Sequence, residues 1–115
     1  MLRVRLIHWK ESEAEEKAEI LKRAGYKVES SLLDQDSLHQ MRQDPPAAFV
    51  IDLSRLPSQG RDFALGIRIH KTTRNVPLVL VGGELDKVKG IKKLLPDAVF
   101  TQWDQIDDPL RKAID

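Results

Sequence analysis

Residues 49–60 read FVIDLSRLPSQG, and Asp52 is the residue of this 115-residue chain best placed to do chemistry. Three apolar residues run directly into it, the pattern of a buried strand that ends in a carboxylate. Burying a carboxylate is costly unless it has a partner or a use. A lone carboxylate is also a weak nucleophile, and it repels an incoming anion unless a cation is present. His8 and Lys10, in the run LIHWK, are candidates for that cation, and loop amides are a further way of holding Asp52. His8 fits a pH-sensitive switch or a histidine simply satisfied at a strand end. Gly82-Gly83 fits a backbone that lets a phosphate approach or a tight strand-to-helix turn, and neither G-x-G-x-x-G nor a P-loop is present. His39 and His70 fall on different predicted helices without ligand spacing, so no metal site is expected from them.

Composition narrows the classes. An apolar fraction of 41% with 32% charged residues fits a globular protein, and residues 1–115 form one domain of ordinary size. The net charge of +1, with both signs interspersed, argues against a nucleic-acid groove or an anionic membrane surface. The absence of cysteine excludes disulfides, thiolate metal sites and cysteine nucleophiles. No stretch approaches the roughly 20 apolar residues of a membrane span, and the apolar part of MLRVRLIHW is too short for a signal peptide. The expected setting is the cytoplasm.

The elements that must position these residues alternate. Strands are predicted at residues 4–9, 26–33, 47–53, 76–81 and 98–101. The third and fourth are apolar on both faces, as central parallel strands covered by helices are. Ser12 and Glu15 have capping-box spacing ahead of a helix carrying Ala14, Ala18 and Leu21, with Gly25 as its C-terminal cap. Asp36 is expected to cap a short helix with Leu38 and Met41. A helix after Gly60 carries Phe63, Ala64 and Ile67 and ends near Asn75. Leu85, Val88, Ile91 and Leu95 mark another, which Pro96 stops. Asp108-Pro109 is expected to open the last as cap and first residue. Gly66 and Gly90, inside helices, are expected to serve close packing.

Five strands alternating with helices predict a three-layer α/β sandwich, with a parallel sheet in the flavodoxin-like order 2-1-3-4-5. Ligands in such sheets bind beyond the carboxyl ends of the strands. Those ends are His8, Trp9 and Lys10, then Asp52, then Gly82 and Gly83, then Gln102 and Trp103.

With Asp52 closing strand three, Gly60 eight residues later, VPLVLVGGE as strand four and AVFTQW as strand five, nearly the whole chain resembles the receiver domain of response regulators. Pro57 departs from the family spacing by one residue. The resemblance implies an aspartyl phospho-acceptor at Asp52. It also implies a magnesium ion held with the help of two acidic residues ending strand one, a hydroxyl residue ending strand four and a lysine ending strand five. In this chain His8 and Trp9 occupy the acidic positions, Gly82 the hydroxyl position, and Gln102 the lysine position with Trp103 after it. Glu11 and Glu13 lie just beyond strand one. The resemblance therefore implies a degenerate receiver, non-catalytic and without a cofactor, acting through protein–protein contact. One alternative is an atypical receiver phosphorylated on Asp52 with Mg²⁺, Glu11 or Glu13 replacing the lost acids. Another is a small-ligand or nucleotide-binding flavodoxin-like domain.

The expected partner is a sensor kinase or another signalling protein, and receivers also pair as homodimers through their fourth helix, fifth strand and fifth helix. On that surface Lys89, Lys92 and Lys93 of the run KVKGIKK, with Trp103, are the candidate contacts. The lysines equally fit a solvated helix face. Trp103 fits a cap over the pocket or an anchor for the partner.

Overall fold

The computed structural model describes residues 2–30 and 35–115. Five parallel strands, β1 (Arg3–Ile7), β2 (Lys27–Ser30), β3 (Ala48–Asp52), β4 (Leu78–Val81) and β5 (Val99–Thr101), form one sheet in the order β2-β1-β3-β4-β5. Between and after them run α1 (Glu11–Arg23), α2 (Gln35–Gln43), α3 (Pro57–Ile69), α4 (Leu85–Leu94) and α5 (Asp107–Ile114). The expected extension of the second strand through Leu33 falls in residues 31–34, outside the described residues, as does the side chain of Leu38.

Alternation along the strands divides the core. Leu6, Val50, Val79 and Val81 pack with Leu21 of α1 and Leu110 of α5, while Ile7, Phe49, Ile51 and Leu80 pack with Met41 of α2, Ile67 of α3 and Ile91 of α4. Every residue of β3 and β4 is buried, because helices cover both faces of the central strands. No helix among the described residues is long and apolar enough to cross a membrane.

Helix ends depart from the sequence pattern where tertiary contacts overrule local signals. α1 starts at Glu11 on the carbonyl of Lys10, which accepts the amides of Glu13 and Ala14, so Ser12 and Glu15 form no capping box. Its other end is as expected. Gly25 takes the left-handed conformation, its amide bonding to Lys22 O while that of Tyr26 reaches Leu21 O, the paired bonds of a Schellman cap. Asp36 lies within α2. α3 begins at Pro57, before Gly60, and ends at Ile69, short of Asn75. Gly60 is buried in the first turn because α3 closely approaches β3: a Cβ there would lie 2.7 Å from Leu53 Cδ2. α5 starts at Asp107 behind buried Ile106, so Asp108 does not cap it and Pro109 is its third residue. Leu85, expected on the buried stripe of α4, is 75% exposed at the first position of that helix.

Gly66 and Gly90 do not serve close packing, since a Cβ at either would meet no atom within 4 Å. Glycine inside a helix costs about 1 kcal/mol against alanine. Gly66→Ala and Gly90→Ala are each expected to raise stability by about that amount, seen as a higher urea midpoint at unchanged slope. A lower midpoint would mean that these positions are packed after all.

Candidate functional site

The site is assembled by strand register. Ile7 of β1 pairs with Ile51 of β3, so the residues that follow, His8 and Asp52, leave the sheet side by side. His8 Nε2 lies 2.7 Å from Asp52 Oδ2, and both side chains are 2% exposed. The contact is close but lacks hydrogen-bond alignment. His8 Nδ1 accepts the backbone amide of Lys10 at 2.9 Å. With Nδ1 an acceptor, the ring proton is assigned to Nε2, the atom that faces the carboxylate. The same residue whose amide orients the imidazole also starts α1 through its carbonyl.

The other carboxylate oxygen is held by its own loop. The amide of Ser54 donates to Asp52 Oδ1 at 2.9 Å and the Ser54 hydroxyl donates to the same atom. This is the local turn in which an aspartate bonds the backbone two residues on. Asp52 Oδ1 thus accepts from Ser54, while Oδ2 lies in close contact with the His8 ring.

A second ion pair spans the outside of the site. Arg55 Nε donates to Glu13 Oε2 at 3.0 Å, and Arg55 Nη2 donates to Glu13 Oε1, tying the loop after β3 to α1. Glu13 Oε2 also lies 3.8 Å from His8 Nε2. The Arg55 hydrogen bonds hold the Glu13 carboxyl down at about 2, with further lowering by the charges of Arg55, Lys10 and His8 and an opposing effect of burial. Because that value lies below the ordinary 4.5, the contribution of Glu13 to stability is complete above pH 4.5 and is lost as pH falls toward 2. Acid unfolding monitored by circular dichroism is therefore expected to show a shallower decline over this window in Glu13→Gln. An unchanged decline would show that the Arg55 pair does not persist in solution.

The remaining candidates separate. The Lys10 side chain is exposed, and the residue acts on the site chiefly through its backbone. Trp9 turns to the opposite face, where it packs on the α3 side of the core with its ring near Gly60. Gly82 is buried beside the pair, and a Cβ on it would lie 3.7 Å from Asp52 Oδ1. Gly82 and Gly83 have φ of 80° and 90°, and the Gly82 amide bonds Thr101 O at 3.0 Å. The glycines thus form the strand-to-helix turn. Gln102 is exposed and starts the short 3₁₀ turn Trp103–Gln105. Glu11 is exposed.

The expected partner surface is divided between the two faces of the sheet. Lys89, Lys92 and Lys93 are exposed on α4, whereas Trp103 is half-buried in the α1/α5 layer, with Lys17 Nζ 5.2 Å from its ring centroid. Ser54 and Arg55 were not singled out by the sequence reading. The Asp-x-Ser spacing is a local signal for the first; nothing local joins Arg55 to a glutamate 42 residues away.

These residues do not fit a magnesium ion, which requires near-octahedral oxygen ligation. An imidazole and an indole occupy the positions where the resemblance implies acidic ligands, both Asp52 oxygens face donors, and Glu13 is engaged by Arg55. Among the described residues no group of three or more His, Asp or Glu is placed to hold a metal.

The fold matches solved receiver structures along the whole chain. The receiver domain (CheY-like) from Methylobacillus flagellatus superposes with a TM-score of 0.77 at 20% identity, covering 100% of this chain and 99% of its own. The chemotaxis response regulator CheY4 of Vibrio cholerae gives 0.76 at 17%, with 98% of each chain covered. The receiver domain of the sensor histidine kinase PA1611 from Pseudomonas aeruginosa, which has a magnesium ion coordinated in its active-site cleft, gives 0.72 at 16%, covering 98% and 97%. No protein-family model and no curated protein matches the sequence. The architecture is that of a CheY-like receiver.

Proposed function

We propose that this receiver-fold chain is a non-catalytic signalling module that works through protein–protein contact without phosphorylation of Asp52. The observation that carries this reading is the engagement of both Asp52 oxygens, Oδ2 by the His8 ring and Oδ1 by Ser54. In an active receiver the acceptor carboxylate, the metal and the incoming phosphoryl group must meet at one point. Here the imidazole stands in the place of the cation, fixed by the Lys10 amide, and attack by Asp52 would require breaking contacts on both its oxygens. The partner on this reading is a sensor kinase or another signalling protein.

The test is magnesium followed by magnesium with beryllofluoride, read by tryptophan fluorescence, alongside acetyl phosphate treatment read by intact mass. A flat titration at millimolar magnesium and no added phosphoryl mass are expected. A saturable, magnesium-dependent change abolished by Asp52→Ala would establish the opposite reading, an atypical receiver in which Glu13 leaves Arg55 to complete the acidic set.

A further inference from the structure

A cleft of about 200 Å³ opens between α2 and α3. Met41 of α2, Phe49 of β3, and Phe63 and Ile67 of α3 line it with apolar groups, and exposed Gly66 completes the α3 side. A Cβ at Gly66 would find no neighbour within 4 Å, so the space beside it is open. Phe49 and Phe63 meet edge to face with ring centroids 6.1 Å apart, and the Met41 thioether is a third group that favours aromatic contact. In size the cleft suits one ring with a short substituent. An apolar cavity of about 150 Å³ takes a benzene molecule, whereas pockets for drug-sized ligands begin at about 300 Å³.

The polar members of the lining decide the rest of the ligand. Thr73, 2% exposed, donates its hydroxyl proton to the Ile67 carbonyl at 2.9 Å. Asp62 accepts Arg61 Nε at 3.1 Å. Arg42 is exposed and has neither an ion pair nor a hydrogen bond among the described residues, which leaves it as the side-chain donor of the lining free for a ligand. The cleft on the other side of Met41 differs. There Arg3 pairs with Glu29 and Asp44, and Arg5 lies 3.8 Å from Glu29, so charge is matched within the protein. We propose that the α2–α3 cleft binds a small aromatic carboxylate, its ring among Phe49, Phe63, Met41 and Ile67 and its carboxylate on Arg42.

A guanidinium suits a carboxylate because two parallel N–H groups meet its two oxygens. An ammonium in the same place would be repelled by Arg42, while Asp62 is already engaged by Arg61. Apolar walls with one polar group that fixes orientation are the usual division of labour in small-ligand sites. None of these residues belongs to the Asp52 cluster, so the inference holds whether or not Asp52 takes a phosphoryl group. It gives the module a small-molecule input distinct from phosphoryl transfer.

The probe is phenylacetate, titrated at millimolar concentration into the isotope-labelled full chain and followed by amide NMR shifts. Saturable shifts are expected at Gly66 and Thr73, with the amides of Gly25, Gly82 and Gly83 unmoved. Arg42→Gln is expected to weaken binding about tenfold by removing the charged donor, and Gly66→Leu by at least about tenfold by filling the cleft. Arg42 is exposed, so its variant tests the proposal even if Gly66→Leu does not fold, and spectral dispersion reports folding in both. Phenethylammonium, with the same ring and the opposite charge, and cyclohexylacetate, with a saturated ring, are expected to bind more weakly. The absence of saturable shifts at Gly66 and Thr73, or shifts concentrated instead on α4, would overturn the proposal. Equal binding of phenethylammonium, or unchanged binding by Arg42→Gln, would remove the carboxylate from it, and equal binding of cyclohexylacetate would remove the aromatic ring.

Discussion

His8→Ala is expected to lower the unfolding free energy by about 3 kcal/mol, the upper end of the range for leaving a buried polar group without its partner, because that group is a carboxylate. The pair is almost wholly withdrawn from water, and with the ring gone Asp52 Oδ2 would face an emptied space while Oδ1 kept the donors of Ser54. The reverse change is milder. Asp52→Ala removes the carboxylate itself and leaves a ring whose Nδ1 still takes the Lys10 amide, so the penalty is that of one unsatisfied buried donor, about 1–3 kcal/mol. The double variant is expected to lose less than the sum of the two, the mark of direct coupling. Urea unfolding of the four proteins measures all of this, and equal losses from the two single changes would mean that His8 does not compensate Asp52.

Gly82→Thr places a hydroxyl residue after the fourth strand, where the resemblance to receivers implies one, and it is expected to cost about 1–3 kcal/mol without producing a magnesium response. Space is not the obstacle, since the nearest atoms to a Cβ there are 3.7 Å away. The backbone is: φ of 80° suits glycine, and a β-branched residue in the left-handed region is a strained outlier. The Gly82 amide is also bonded to Thr101 O, which fixes the peptide in that orientation. Gly82→Ala should cost nearly the same, because the strain belongs to any Cβ. A Thr variant as stable as the parent would show that the turn does not require glycine at this position.

The limits of local signals are clearest at helix starts. Ser12 and Glu15 have the spacing of a capping box, yet Lys10 is already oriented by His8, and its carbonyl opens the helix one residue before Ser12. Asp108-Pro109 has the chemistry of a cap, but burial of Ile106 sets the chain's path into α5 earlier. In both places the contacts made by the residue just before the helix decided its first residue. Trp103 illustrates the same limit for faces. Its half-buried place on the α1 side, beneath Lys17, depends on the turn after β5, which no periodicity encodes.

By itself the sequence determined the strand order, the position of Asp52 at a strand end and the presence of His8, Gly82 and Gln102 at the neighbouring strand ends. These follow from apolar runs, alternation with helices and residue type, all of which act over a few neighbours. Only the tertiary structure decided how Asp52 is held. His8 rather than Lys10 meets it because parallel register sets Ile7 beside Ile51, and the Lys10 amide turns the ring toward the carboxylate. The Glu13–Arg55 bridge closes across 42 residues for the same reason. Contacts between distant strands and loops depend on register and backbone path, and these are fixed only when the whole core packs.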